Sequence, residues 1–374
     1  MIIGILKEPT GENRVSLLPE QAQTLIKKNV TVLLEAGAGA NAFADDADFQ
    51  SVGAQTLSRA EILQQSDVIL SIQLPTTEDV SLLKSGAVLL GIYQPLYNPA
   101  IIKGWAAKGL TSFSMDMIPR TTRAQSMDVL SSQANIAGYR AVLVAATMFP
   151  KYFPMFMTAA GSIPPAKVLI LGAGVAGLQA IATARRLGAV VEVFDTRPAV
   201  KEEVMSLGAK FVEVEGAVDA SSAGGYAVEQ TDEYKLKQQQ RIAEAIAKAD
   251  IVITTAQIPG RKAPILITEA MLNTMRKGSV IVDIAAATGG NTPATKNNET
   301  TRYNGVTIIG NSNLPSGMPS DSSKLYGKNI LNFLNLMIDK DGNWNLNWED
   351  DLVKGTCITF NGEVVNERVK LIGE

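Results

Sequence analysis

Among the 374 residues there is no histidine, and there is one cysteine, Cys357. The first absence removes the side chain that most often moves protons in dehydrogenases acting on alcohols or amines. Any proton transfer would fall to Lys, Asp, Glu or Tyr. Together the two absences argue against structural zinc, which draws on imidazole and thiolate ligands, so no metal site is expected. A single cysteine also excludes an intrachain disulfide framework and suits a reducing compartment. Long apolar runs are missing as well. A membrane helix needs roughly 18 such residues, and the longest stretch, 141–156, is broken by Pro150, Lys151 and Pro154. The opening MIIGILKEP has no basic start and does not read as a signal peptide. With a net charge of −3 no basic surface advertises nucleic acid, and no nucleic-acid partner is expected. Internal repeats and low-complexity segments are absent. What remains is an ordinary globular composition, 46% apolar and 19% charged, on a chain long enough for two domains.

Residues 167–197 organise the rest: KVLILGAGVAGLQAIATARRLGAVVEVFDTR. The run 167–171 reads as a buried parallel strand. Gly172, Gly174 and Gly177 follow at GxGxxG spacing, then a helical pattern over 178–187 and a second strand at 190–194 ending on Asp195. Strand, glycine turn, helix, strand and acid in this order are what dinucleotide binding requires. Gly172 permits the tight turn, Gly174 lets backbone approach a pyrophosphate, and Gly177 lets helix and strand pack closely. The helix N-terminus supplies free N–H groups and a positive dipole end that suit phosphate. Asp195 lies 23 residues beyond Gly172, close to the separation of about 20 of a ribose-binding acid. It favours NAD(H) over NADP(H). Thr196 and Arg197 follow, and Arg197 is discordant, because a nearby arginine can accommodate a 2′-phosphate. The bland alternative is a glycine turn without nucleotide and a helix-capping Asp195.

Either side of this stretch, strands and helices alternate. Strands are expected at 2–7, 31–35, 67–73, 87–93 and 111–117, and then at 210–214, 250–256, 279–285 and 306–310. The fold class is therefore α/β, with two Rossmann-like domains built on parallel sheets, the second a doubly wound dinucleotide-binding domain. The first domain is expected to comprise 1–140 plus 325–374, and the second 141–324. Helix 131–148 carries the chain between them, and the tail 343–374 packs on the first domain. Residues 119–128, PRTTRAQSMD, follow a strand end, where ligand crevices form. The loop 216–232 is long and polar, hence functional or mobile. Residues 149–165 read as an apolar, proline-flanked hairpin that must bury itself, either within its own subunit or against another.

PRTTRAQSMDVLSSQANIAGYRAV, the glycine stretch through MSLGAKF, AGGYA and ITTAQIPGRKAPILIT closely resemble the NAD(H)-binding component of proton-translocating nicotinamide nucleotide transhydrogenases, which are related to alanine dehydrogenases. The similarity runs over nearly the whole chain. It implies an oxidoreductase, Re/Si-specific, in which hydride passes directly from NADH bound here to NADP⁺ on a partner component. A membrane-spanning component couples this transfer to proton movement. The resemblance further implies a homodimer, cytoplasmic and peripheral on the inner membrane through its partners. Arg120, Gln125 and Asp128 match the family segment that orders the nicotinamide end, with Ser131 nearby. Tyr226 matches the tyrosine of a mobile loop that closes over nucleotide. Gly172, Gly174, Gly177 and Asp195 match the dinucleotide site, and Val175, Ala176, Thr196, Arg197 and Ala256 complete the candidate set. On composition alone, Arg120 and Asp128 could equally form a loop ion pair with capping character, and Tyr226 could lie on the surface.

Two other classes compete. An alanine-type dehydrogenase would use Arg14 for a substrate carboxylate. Yet Gln73 stands where that family has lysine, GIYQPL lacks its histidine, and Ala286 and Ala287 occupy the region of its aspartate. A non-catalytic NAD(H)-sensing module would use the 216–232 loop to report occupancy. Hydride transfer between two nicotinamides releases no proton, so a histidine-free chain is suited to it; the requirement is two rings held in near-attack geometry with water excluded.

Overall fold

The computed structural model describes residues 1–214 and 231–373. Two compact units divide the chain, Met1–Gln133 with Ser316–Glu374, and Ala134–Pro315. Sequence set these divisions at 140/141 and 324/325. The first division lies between Gln133 and Ala134, early in the uninterrupted helix Val129–Met148, so no break in the helix marks it.

The first unit is built on an eight-stranded sheet. Ile2–Ile5, Thr31–Glu35, Gln55–Leu57, Val68–Leu70, Val88–Gly91 and Thr111–Ser114 pair in parallel. Cys357–Phe360 then joins Thr111–Ser114 antiparallel, and Glu363–Val364 closes that edge. The tail thus packs on the first unit. Successive residues feed opposite faces, as the pleat dictates. Val68, Leu70, Val88 and Leu90 enter one apolar core, while Ile69 and Leu89 enter another. The helix Pro319–Leu334 returns the chain to this unit. Pro319 suits its first helical turn.

The second unit has a seven-stranded sheet. Its order is Lys210–Phe211, Val190–Phe194, Lys167–Leu171, Ile251–Thr254, Val280–Asp283 and Val306–Ile309, all parallel. These are the six strands expected. The seventh, Thr300–Tyr303, adds antiparallel at the edge. It was not foreseen, because its polar TTRY lies between turn residues and carries no buried face. Strand order reverses between Lys167–Leu171 and Ile251–Thr254, which opens a crevice at their carboxyl ends.

The apolar segment 149–165 divides. Phe149 and Phe153 are buried in the core of the second unit, edge to face at 6.2 Å. Phe156–Thr158 and Gly161–Ile163 form a separate two-stranded ribbon, exposed at every position. Met157 is 72% exposed and Phe156, stacked on Tyr152, 44%.

Among the described residues no helix is long and apolar enough to cross a membrane. Nor, among those residues, does any group of three or more His, Cys, Asp or Glu come together as metal ligands.

Candidate functional site

The glycine turn grows directly out of strand Lys167–Leu171. Gly172 adopts φ +108°, a left-handed conformation that only glycine takes at little cost, and a Cβ there would stand 2.3 Å from Thr255 Oγ1. A Cβ on Gly177 would stand 1.9 Å from the Gly172 carbonyl oxygen, so helix and strand can meet only without one. At Gly174 the Cβ direction is open. Gly174 is also the N-cap of helix Val175–Arg186 and brings no side-chain acceptor to its first N–H groups. Two glycines forced by packing and one facing open space, beside an uncapped helix end with Val175 and Ala176 in its first turn, fit a pyrophosphate. On the helix Val129–Met148, Gly138 packs so tightly against the first turn of Val175–Arg186 that a Cβ would lie 2.0 Å from the Ala176 carbonyl oxygen.

Asp195 is buried at the end of strand Val190–Phe194. Its Oδ2 accepts from the Ala173 N–H at 2.7 Å, which ties the second strand to the glycine turn. Its Oδ1 accepts from the Arg197 N–H at 2.8 Å. The Arg197 guanidinium grips both oxygens, Nε at 2.9 Å and Nη2 at 2.7 Å. The two residues that pointed to opposite nucleotides in the sequence are thus one bidentate pair, with half-buried Thr196 between them.

Ala256, just beyond strand Ile251–Thr254, is held by a residue that sequence reasoning missed. Buried Asn291 accepts from the Ala256 N–H at 3.2 Å and donates Nδ2 to the Ala256 carbonyl at 2.9 Å and the Pro264 carbonyl at 2.8 Å. Its own N–H reaches buried Asp283 Oδ2 at 2.6 Å. The only sequence signal was a polar residue directly after the GG that follows an apolar strand.

In the first unit, Asp128 and Ser131 are bonded partners. Asp128 Oδ1 accepts the Ser131 N–H at 2.9 Å and Oδ2 accepts the Ser131 hydroxyl at 2.6 Å, which caps the start of Val129–Met148. Arg120 and Gln125 lie on the same segment with exposed side chains. Tyr226, expected to close over nucleotide, lies outside the described residues, as do 215–230 as a whole.

The amino-acid-dehydrogenase positions have other occupations here. Arg14 is buried; its Nε and Nη2 reach Glu12 at 2.8 and 2.6 Å, and its Nη1 reaches Gln133 Oε1 at 2.8 Å. The Gln73 and Ile72 N–H groups donate to Glu8 at 3.1 and 2.6 Å. Burial pushes the Glu8 carboxyl from 4.5 up to about 7, against those two N–H groups, which lower it. The folded protein therefore holds a proton on Glu8 that the unfolded chain has released between pH 4.5 and 7. Stability falls as pH rises through this window, by about 3 kcal/mol in all. Thermal unfolding of Glu8→Gln against the parent between pH 5 and 7.5 should show a flatter dependence. An unchanged slope would remove Glu8 as its source.

A parallel sheet with reversed strand order, a glycine cradle and a strand-end acid define a Rossmann-type dinucleotide-binding protein. Residues 4–137 match the alanine dehydrogenase/PNT N-terminal domain, and 141–367 match the alanine dehydrogenase/PNT C-terminal domain. The chain belongs to the alanine dehydrogenase/PNT family. The first part of NAD(P) transhydrogenase subunit alpha of Rhodospirillum rubrum is 46% identical over 376 residues, 98% of each chain. NAD(P) transhydrogenase subunit alpha of Haemophilus influenzae is 44% identical over 98% of this chain and 72% of that one. The transhydrogenase crystal structure from Sinorhizobium meliloti matches with a TM-score of 0.89 at 46% identity, covering 98% of this chain and 100% of that one. An L-alanine dehydrogenase at 24% identity, with a TM-score of 0.80 over 100% of this chain and 99% of that one, shares the fold. This similarity supports a component of an NAD(P) transhydrogenase that binds a nicotinamide nucleotide.

Proposed function

We propose that the chain is the NAD(H)-binding component of a proton-translocating transhydrogenase. Hydride passes directly between its nucleotide and NADP(H) held on a partner component, with Re/Si specificity, and a membrane-spanning partner couples the transfer to proton movement. The observation that carries this reading is the glycine cradle joined to Asp195 through the Ala173 N–H. The occupied Arg14 guanidinium, and a glutamine rather than a lysine at Gln73, leave little equipment for an amino-acid substrate. Bound NADH supplies the hydride. The helix end at Val175 and Ala176 holds pyrophosphate, and Asp195 takes the adenosine ribose hydroxyls. Arg120 and Gln125 orient ribose, carboxamide and phosphate oxygens at the nicotinamide end, with Asp128 and Ser131 holding the start of the following helix. Tyr226, which lies outside the described residues, is assigned by the family resemblance to cover the nucleotide. No residue needs to remove a proton.

The test mixes this protein with an NADP(H)-binding transhydrogenase component from another source and follows hydride exchange between NADH and an NADP⁺ analogue. No exchange, together with NADH formation from NAD⁺ and alanine, would replace this reading with an amino-acid dehydrogenase. The protein would act in the cytoplasm, peripheral to the inner membrane through its partners.

The same reading includes a homodimer. The exposed ribbon carries Phe156, Met157 and Ile163, with Tyr152 and Met155 beside it. Such residues are enriched at interface cores. Phe156→Asp should sediment as a monomer where the parent sediments as a dimer; a folded, dimeric variant would place the interface elsewhere.

A further inference from the structure

The segment that carries Arg120 and Gln125 is gripped from one helix at one atom. Asn329 and Asn332 are three residues apart on Pro319–Leu334 and so share a face. Asn329 Nδ2 donates to the Ser126 carbonyl at 2.8 Å, and Asn332 Nδ2 donates to the same oxygen at 3.0 Å. Asn329 is buried, and its Oδ1 accepts the Ser132 hydroxyl at 2.7 Å, in the first turn of Val129–Met148. From the same helix the Ser322 carbonyl accepts Gln133 Nε2 at 3.2 Å. The neighbours Ala124 and Met127 are buried in the apolar core beneath, while Gln125 and Ser126 are exposed. A carbonyl oxygen has two lone pairs. Filling both from a rigid helix fixes the Ser126 peptide in direction as well as distance, one residue from Gln125.

We propose that Asn329 and Asn332 are positioning residues for hydride transfer, acting through Ser126 to hold Gln125 and Arg120 in place. This rests on the nicotinamide-orienting role proposed for those two side chains. Neither asparagine touches nucleotide. Because both amides serve one acceptor, each covers for the other, and their effects on rate are strongly non-additive.

Hydride exchange with the NADP(H)-binding component, NADH affinity by fluorescence and thermal unfolding are measured for Asn329→Ser, Asn332→Ala and the double variant. Asn329→Ser keeps a hydroxyl for Ser132. Each single change is expected to slow exchange by less than about threefold. The double change is expected to slow it about 50- to 100-fold, the cost of a displacement near 1 Å, with NADH affinity within about twofold of the parent. Asn332→Asp places a carboxylate against the same carbonyl at a half-buried position and should cost about tenfold in rate; it serves if the double variant does not fold. Additive small effects, or rate and NADH affinity falling together, would overturn the assignment. Gln125→Ala is run alongside. If it is inert, the role of the segment fails and this inference with it. If it is slow while the double variant and Asn332→Asp keep the parent rate, only the asparagine assignment fails.

Discussion

Gln125→Asn is expected to slow hydride exchange about 100-fold while NADH affinity changes by less than about threefold. The substitution keeps the amide and withdraws it by one methylene, and a displacement near 1 Å at a reacting centre costs about this much. Affinity is expected to be spared because, in the proposed site, the glycine cradle, the helix end and Asp195 would hold the rest of the nucleotide through contacts separate from Gln125. An interaction that acts only on the geometry of transfer lowers the rate of the chemical step and leaves ground-state binding alone. Single-turnover exchange with the NADP(H)-binding component, beside an NADH fluorescence titration, separates the two quantities. Equal losses in both would make Gln125 an ordinary binding residue.

Asp195→Ala should weaken NADH binding about 10- to 100-fold and narrow the preference for NADH over NADPH. The carboxylate accepts from the Ala173 N–H, the Arg197 N–H and two guanidinium nitrogens. Losing the charge-assisted hydrogen bonds proposed between this carboxylate and the ribose hydroxyls costs about 1.5–3 kcal/mol, and each 1.4 kcal/mol is tenfold in affinity. A loss also falls on the glycine turn itself, since Ala173 lies between Gly172 and Gly174. The same substitution releases the Arg197 guanidinium from its carboxylate partner, and a released cation beside the strand end favours a 2′-phosphate. Arg197→Ala has the opposite effect on selectivity. It leaves an uncompensated carboxylate at the strand end, which repels a 2′-phosphate more strongly and widens the preference for NADH. Titrating both nucleotides against the parent and the two variants measures this. Equal affinities in the parent would remove the assignment of Asp195 as the ribose acid.

What sequence alone determined was local and periodic. The GxGxxG spacing, the branched apolar run before it and the acid after the next strand specified a βαβ unit, because each of those residues acts through its own backbone or its nearest turn. The strands Thr31–Glu35, Lys167–Leu171 and Val190–Phe194 were legible to the residue, since largely buried parallel strands leave runs rich in Val, Leu and Ile. The polar segment with Arg120, Gln125 and Asp128 was legible as a candidate from its place after a strand end. Tertiary structure alone decided the rest, for one physical reason: the deciding contacts join residues far apart in the chain, and no local pattern encodes their meeting. Asn291 reaches back to Ala256 and Pro264. Ser126 meets Asn329 and Asn332 from a helix some 200 residues later. Thr300–Tyr303 becomes a strand only because Val306–Ile309 offers an edge to pair with. Asp195 and Arg197, though neighbours in sequence, could be read as rivals until the fold brought one onto the other: the Ala173 N–H, which comes from the preceding strand's turn, fixes the carboxylate, and the guanidinium closes on both of its oxygens.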